Sequence, residues 1–128
     1  MAIPDYETLM LPVLKTAAAG DEVAIRDCTN GLADQLGLSE AERNQLLPSG
    51  KGTTLASRVG WARTYLAQAG LVEATRRAHF RITDRGRAVL AQSPEKIDNR
   101  LLLEFPEFQD FKRRRKPNGS SEPEFRVS

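Results

Sequence analysis

The apolar residues of this chain recur first at helical spacing and later at strand spacing. Leu9, Met10, Val13, Leu14 and Ala17 share one helical face behind Asp5, a residue type that caps helix N-termini. They predict a helix from Tyr6 to about Gly20, and Pro12 inside the pattern predicts a kink or a late start. Glu22-Val23-Ala24-Ile25 is long enough only for a small edge strand. Ile25, Cys28, Leu32, Ala33 and Leu36 mark a second helix that ends at Gly37. Ser39 with Glu42 is a capping box, opening a short third helix expected to run through Leu46 and Leu47. Pro48-Ser49-Gly50-Lys51-Gly52 is a loop by composition. Leu55, Val59, Ala62, Leu66 and Ala69 then fall on one face of the clearest helix, over residues 54–69, with Gly70 as its C-terminal cap.

The period then changes. Leu71-Val72-Glu73-Ala74 and His79-Phe80-Arg81-Ile82 read as two strands, with Thr75-Arg76-Arg77-Ala78 as the hairpin tip. Thr83 caps a further helix through Ala91. Beyond Pro94, Ile97, Leu101 and Leu102 suggest a short helix, and Phe105, Phe108 and Phe111 are expected to pack back on the domain. From Lys112 the chain is basic and then rich in Pro, Gly, Ser and Glu, the composition of a flexible tail. Three helices, a basic helix, a hairpin and a closing helix follow the plan of a winged helix-turn-helix. The expected class is mainly α with a small β-hairpin (α+β). The expected divisions are a winged-helix DNA-binding domain over 1–92, a C-terminal helical extension over 93–111 and a flexible basic and polar tail over 112–128.

Composition narrows the function. The 128 residues amount to one domain with room for a tail, and 40% are apolar. No apolar run approaches the roughly 18 residues of a membrane helix, so no membrane partner is expected. Met1-Ala2-Ile3-Pro4-Asp5 lacks the plan of a signal peptide. One cysteine permits no internal disulfide, and a reducing cytoplasm is expected. With a single histidine beside it there is no Cys/His zinc site. The net charge of +2 conceals a pattern: residues 1–47 carry −5, 48–92 carry +6, 93–111 carry −3, Lys112–Lys116 carry +5 and 117–128 carry −1. The local field, rather than the isoelectric point, describes such a chain.

The basic block coincides with the helix over 54–69 and the hairpin. On a helical wheel Thr64 lies opposite the apolar stripe, between Ser57 and Gln68 on one side and Gly60 and Ala67 on the other. Recognition helices read bases from their N-terminal half. The candidate readers are Thr54, Ser57, Gly60, Trp61 and Thr64, with Thr53 and Thr54 opening the helix where free N–H groups meet a phosphate. Gly60 costs a helix about 1 kcal/mol against Ala; it either admits a groove closely or clears a neighbouring helix. Trp61 is a base contact or a packing residue. Arg58, at the edge of the apolar stripe, reaches a phosphate or covers Trp61 or Tyr65 with its stem. Lys51 sits in a Gly-flanked loop suited to a phosphate. A Walker A reading fails, because Gln45 and Gly52 stand where Gly and Ser/Thr are required. Arg76 and Arg77 at the hairpin tip, with Arg81, suit phosphates or a narrow minor groove, or form an ordinary charged hairpin. Arg85 and Arg87 suggest a phosphate role only weakly. The acids of the first three helices form a solvated far side. His79 reads as an exposed strand residue and Cys28 as core. Neither has a triad partner, so no catalytic residue, metal ligand or cofactor is assigned.

Five segments add a family resemblance: Ile3-Pro4-Asp5-Tyr6, Leu9-Met10-Leu11-Pro12-Val13-Leu14, Leu47-Pro48-Ser49-Gly50, Arg58-Val59-Gly60-Trp61-Ala62-Arg63 and Phe105-Pro106-Glu107-Phe108. In this order they resemble the N-terminal domain of Mrr-type restriction endonucleases, over roughly residues 3–111. The resemblance implies a winged-helix module that recognises double-stranded DNA in a bacterial system directed at modified, methylated DNA. It also implies that nuclease chemistry, of the PD-(D/E)xK type with a divalent metal, belongs to a separate C-terminal domain. That domain is expected to lie outside this chain, with 112–128 as the linker to it, so the chain itself is not expected to be an enzyme. A homodimer is compatible with this reading. The alternative is a winged helix for protein–protein interaction or transcriptional regulation, which requires Trp61, Phe105, Phe108 and Phe111 to form an exposed apolar face.

Overall fold

The computed structural model describes residues 3–115. Asp5 accepts a hydrogen bond from the Thr8 backbone N–H at 2.8 Å, so helix α1 (Tyr6–Ala18) starts at its cap. It runs through Pro12 with no late start. A two-residue strand, β1 (Val23–Ala24), leads into α2 (Ile25–Gln35), which ends before Gly37 at φ +66°. Both bonds of the capping box form at α3 (Glu40–Arg43): the Ser39 N–H donates to Glu42 Oε1 at 2.8 Å, and the Glu42 N–H donates to Ser39 Oγ at 3.1 Å.

The third helix is shorter than its sequence suggests. It stops at Arg43, because residues 45–54 close a loop of their own. The Leu47 N–H donates to the Gly52 carbonyl at 2.9 Å and the Thr54 N–H to the Gln45 carbonyl at 2.8 Å. Pro48 disfavours helical geometry at Leu47. Leu46 is left 59% exposed rather than continuing an apolar face. The loop delivers the chain to α4 (Thr54–Gln68), capped by Thr53 Oγ1, which accepts from the Ala56 N–H at 3.2 Å.

Strands β2 (Val72–Arg76) and β3 (His79–Ile82) form the hairpin, with a register shift between Ala74 and Arg76. A turn with Ala78 at φ +61° joins them. β1 pairs with the far side of β3 through Val23 opposite Phe80, giving a three-stranded antiparallel sheet in the order β1-β3-β2. The hairpin expected from sequence is thus braced by a strand some fifty residues earlier. α5 (Asp84–Ala91) follows its Thr83 cap; α6 (Asn99–Leu102) and α7 (Pro106–Arg115) complete the described chain. The class is mostly helical with a small antiparallel sheet. Where composition alone suggests a tail from Lys112, the helix continues to Arg115. Lys116 and the rest of the expected tail lie outside the described residues.

One core joins these elements. α1 packs along α4, burying Leu9, Met10, Val13 and Leu14 with Val59, Ala62 and Leu66. Phe80 and Leu71 close it from the sheet side, and Leu102 and Phe108 from the C-terminal helices. Cys28 is fully buried in α2, and burial raises its thiol from the ordinary 9.0 to about 11. Burial likewise lifts the Tyr6 phenol to about 12. Both groups hold their protons more tightly when folded. Their contribution is therefore complete below the unfolded values and is lost as pH rises through the folded ones, so alkali destabilises the fold. At pH 8, folded protein is expected to react with a disulfide reagent at least about a hundredfold more slowly than urea-unfolded protein, because native thiolate is so scarce. Equal rates in a thiol-labelling time course would contradict the burial of Cys28.

Candidate nucleic-acid interface

The apolar stripe of α4 faces inward, leaving an outer face with no acidic side chain. Ala56, Ser57, Gly60, Trp61, Arg63 and Thr64 line a shallow hollow there of about 260 Å³. Gly60 forms part of it. A Cβ added at Gly60 meets no atom within 4 Å, so this glycine does not clear a neighbouring helix. Of the two explanations its sequence allowed, only open access to the helix backbone remains. Ser57 and Thr64, both half-buried, flank it on the same face.

Two candidates on this helix have other work. Thr54 is 4% exposed, and its hydroxyl donates to the Leu46 carbonyl at 3.4 Å. It closes the 45–54 loop and is out of reach of a base. Arg58 turns away from the hollow. Its Nη1 donates to the Ile3 carbonyl at 2.7 Å and the Pro4 carbonyl at 3.4 Å, fastening the segment that enters α1. It ties the entry to α1 onto α4. Trp61 is half-buried, its ring edge-on to Tyr65 with centroids 6.1 Å apart, so packing accounts for much of it. Thr53 spends its hydroxyl on the helix cap.

Sequence reasoning passed over Arg63. It lies at the rim of the hollow, half-buried, with its Nε buried and lacking a hydrogen-bond partner. At 100° per residue Arg63 falls beside the apolar stripe, where an arginine is easily discounted. Its nearness to Gly60 through an i,i+3 step was the available signal.

The hairpin brings its cations together differently from the simple expectation. Arg76 pairs with Glu22 at 3.2 Å while its side chain stays 66% exposed. Thr75 also donates to Glu22. That bond first, and the Arg76 guanidinium after it, hold the Glu22 carboxyl below its usual range. Glu22, counted by sequence only within the acidic segment 1–47, therefore stands at the hairpin. Arg81 pairs with Glu73 across the strands at 2.5 Å. Arg77 and Lys51 are exposed and have no ion pair among the described residues. His79 is half-buried, its Nδ1 lying 2.8 Å from the Arg77 carbonyl oxygen.

Arg85 is engaged within the protein. Its Nη1 donates to the Ala69 carbonyl at 2.8 Å and to Glu107 Oε1 at 2.9 Å, and Nη2 reaches Glu107 Oε2 at 3.3 Å. The guanidinium also lies 4.9 Å from the centre of the Phe105 ring. It joins the end of α4 to the start of α7, leaving Arg87 as the exposed cation of α5.

The aromatic residues do not assemble an exposed apolar face. Phe108 and Phe111 are buried against Tyr65, and Phe105 and Trp61 are half-buried against the core. A larger groove of about 580 Å³ lies between α2, α3 and the start of α4, lined by Arg26, Asn30, Arg43 and Asn44 among others. Among the described residues no three His, Cys, Asp or Glu side chains cluster to hold a metal ion. No helix among the described residues is long and apolar enough to cross a membrane.

A family model for the Mrr N-terminal domain matches residues 6–92. The type IV methyl-directed restriction enzyme EcoKMrr of Escherichia coli strain K12 is 33% identical over 96 residues. That alignment covers 74% of this chain and 31% of the enzyme, so the chain spans about a third of the relative's length. No solved structure matches the chain. The extent of the domain match and the identity to this enzyme together place the chain in the Mrr N-terminal domain family.

Proposed function

We propose that this chain is a winged-helix module that reads double-stranded DNA for a restriction system directed at methylated DNA. Helix α4 enters the major groove, and the β2–β3 hairpin lies over the neighbouring phosphates as the wing. The carrying observation is the hollow at Gly60, an open, acid-free concavity on the outer face of a helix whose other side is committed to the core. Ser57, Thr64, Trp61 and Arg63 ring it as base-edge contacts, Arg63 offering the planar donor fork that suits guanine. Lys51, Arg77 and Arg87 supply phosphate contacts. Arg76 and Arg81 join them on the wing by exchanging their carboxylate partners for phosphate. The acids of α1 to α3 oppose docking in the reverse orientation. Binding calls for no cofactor, and DNA cleavage belongs to another part of the restriction protein. Burial of Phe108 and Phe111 leaves the protein-interaction reading without the face it requires.

A fluorescence anisotropy titration of a short duplex across salt concentrations tests this. With at least about four phosphates neutralised, log K is expected to fall with log salt at a slope of about −4 or steeper. Absence of binding at low salt, or a flat dependence, would refute the reading. Matched methylated and plain duplexes in the same titration test the preference for modified DNA separately.

A further inference from the structure

The basic run that follows Phe111 is not accounted for by the wing or by α4. We propose that the basic end of α7 is a second phosphate-binding element, lying along the flank of α4 and gripping the DNA backbone at one edge of the groove. The proposal rests on α4 being the DNA-reading helix.

Its ground is the course of α7 over α4. Contacts move back along α4 as the chain advances. Glu107, in the first turn of α7, pairs with Arg85, which is itself bonded to the Ala69 carbonyl at the C-terminal end of α4. Phe108 and Phe111 then pack on Tyr65, with ring centroids 5.7 and 5.4 Å away. Lys112 Nζ follows, 5.9 Å from the centre of the Tyr65 ring. Tyr65 in turn meets Trp61, one turn nearer the N-terminus of α4 and on the rim of the hollow. The last turn of α7 thus starts beside Tyr65, one helical turn along α4 from Trp61 at the hollow.

Charge supplies the partner. Arg113 is matched by Asp110 on its own helix, whereas Lys112 and Arg114 have no acidic partner among the described residues. Buried Phe108 and Phe111 seat this helix on the domain, so its cations project from a backbone already anchored before any ligand arrives. A row of fixed cations beside a groove-reading helix fits a row of phosphates, and carries no sequence information of its own.

The test uses the full chain, the Lys112→Gln/Arg114→Gln double variant and a Lys96→Gln control. Lys96 lies among Asp5, Glu7, Glu95 and Asp98 on the acidic side. The double variant is expected to shallow the salt slope by about 1 to 2, equally on methylated and plain duplexes, with its melting temperature unchanged. The control is expected to keep the wild-type slope. Wild-type binding with the same slope in the double variant would overturn this proposal alone. Equal losses in the double variant and the control would also overturn it, since net charge would then be the cause. Failure of the wild-type chain to bind any duplex would overturn the reading of α4 itself.

Discussion

Gly86→Ala is expected to lower the melting temperature by roughly 10 °C. A Cβ at Gly86 would stand 2.2 Å from the Leu71 carbonyl oxygen and 2.7 Å from Ile82 Cγ1. The first is backbone and is already committed, accepting the Thr83 N–H at 3.0 Å. The start of α5 must therefore lift from the sheet, loosening the Thr83 cap and its hydroxyl bond to the Gly70 carbonyl. Overpacking of this kind costs about 1–3 kcal/mol, and a clash with backbone belongs at the upper end. Each kcal/mol moves the melting temperature of a domain this size by about 4–8 °C. The gain of about 1 kcal/mol in helix propensity opposes the loss but does not cancel it. Calorimetry showing an unchanged melting temperature would contradict the close approach of α5 to Leu71.

The opposite result is expected at Gly60, where the same substitution meets no atom within 4 Å. Gly60→Ala is expected to raise stability by up to about 1 kcal/mol, since only the helix propensity changes. Gly60→Glu is expected to fold normally yet bind duplex DNA at least about a hundredfold more weakly, because a carboxylate brought against phosphate costs several kcal/mol. A variant that gains or keeps stability while losing binding marks a position kept for function. Full binding by folded Gly60→Glu would remove the hollow from the interface.

Much of the fold was legible because its signals are local. The caps at Asp5, Ser39 and Thr83 each bond a backbone N–H three residues on, and all three form as the sequence predicts. The α4 stripe and the hairpin likewise follow from spacing. What the sequence concealed is carried by contacts between distant residues. Arg58 bonds carbonyls more than fifty positions away, and Glu22 meets the hairpin across a similar gap. Arg85 and Glu107 join elements that no period links. In each case a cation counted from sequence towards a phosphate surface proves to be wholly or partly engaged within the protein. Net segment charge therefore overstates the free basic surface. The reverse holds at the C-terminus. The helical extension expected over 93–111 runs on to Arg115, because the basic composition from Lys112 that suggests a tail does not interrupt the helix that Phe108 and Phe111 anchor.

The central claim is that the outer face of α4 and the wing together contact DNA. Amide chemical-shift mapping of the isotope-labelled chain during titration with a short duplex tests it most directly. Shifts are expected to concentrate at Lys51–Gly52, Ser57, Gly60, Trp61, Arg63, Thr64 and the Arg76–Ala78 tip, with the outer faces of α1 and α3 silent. Shifts centred on α1 and α3, or none at low salt, would contradict it.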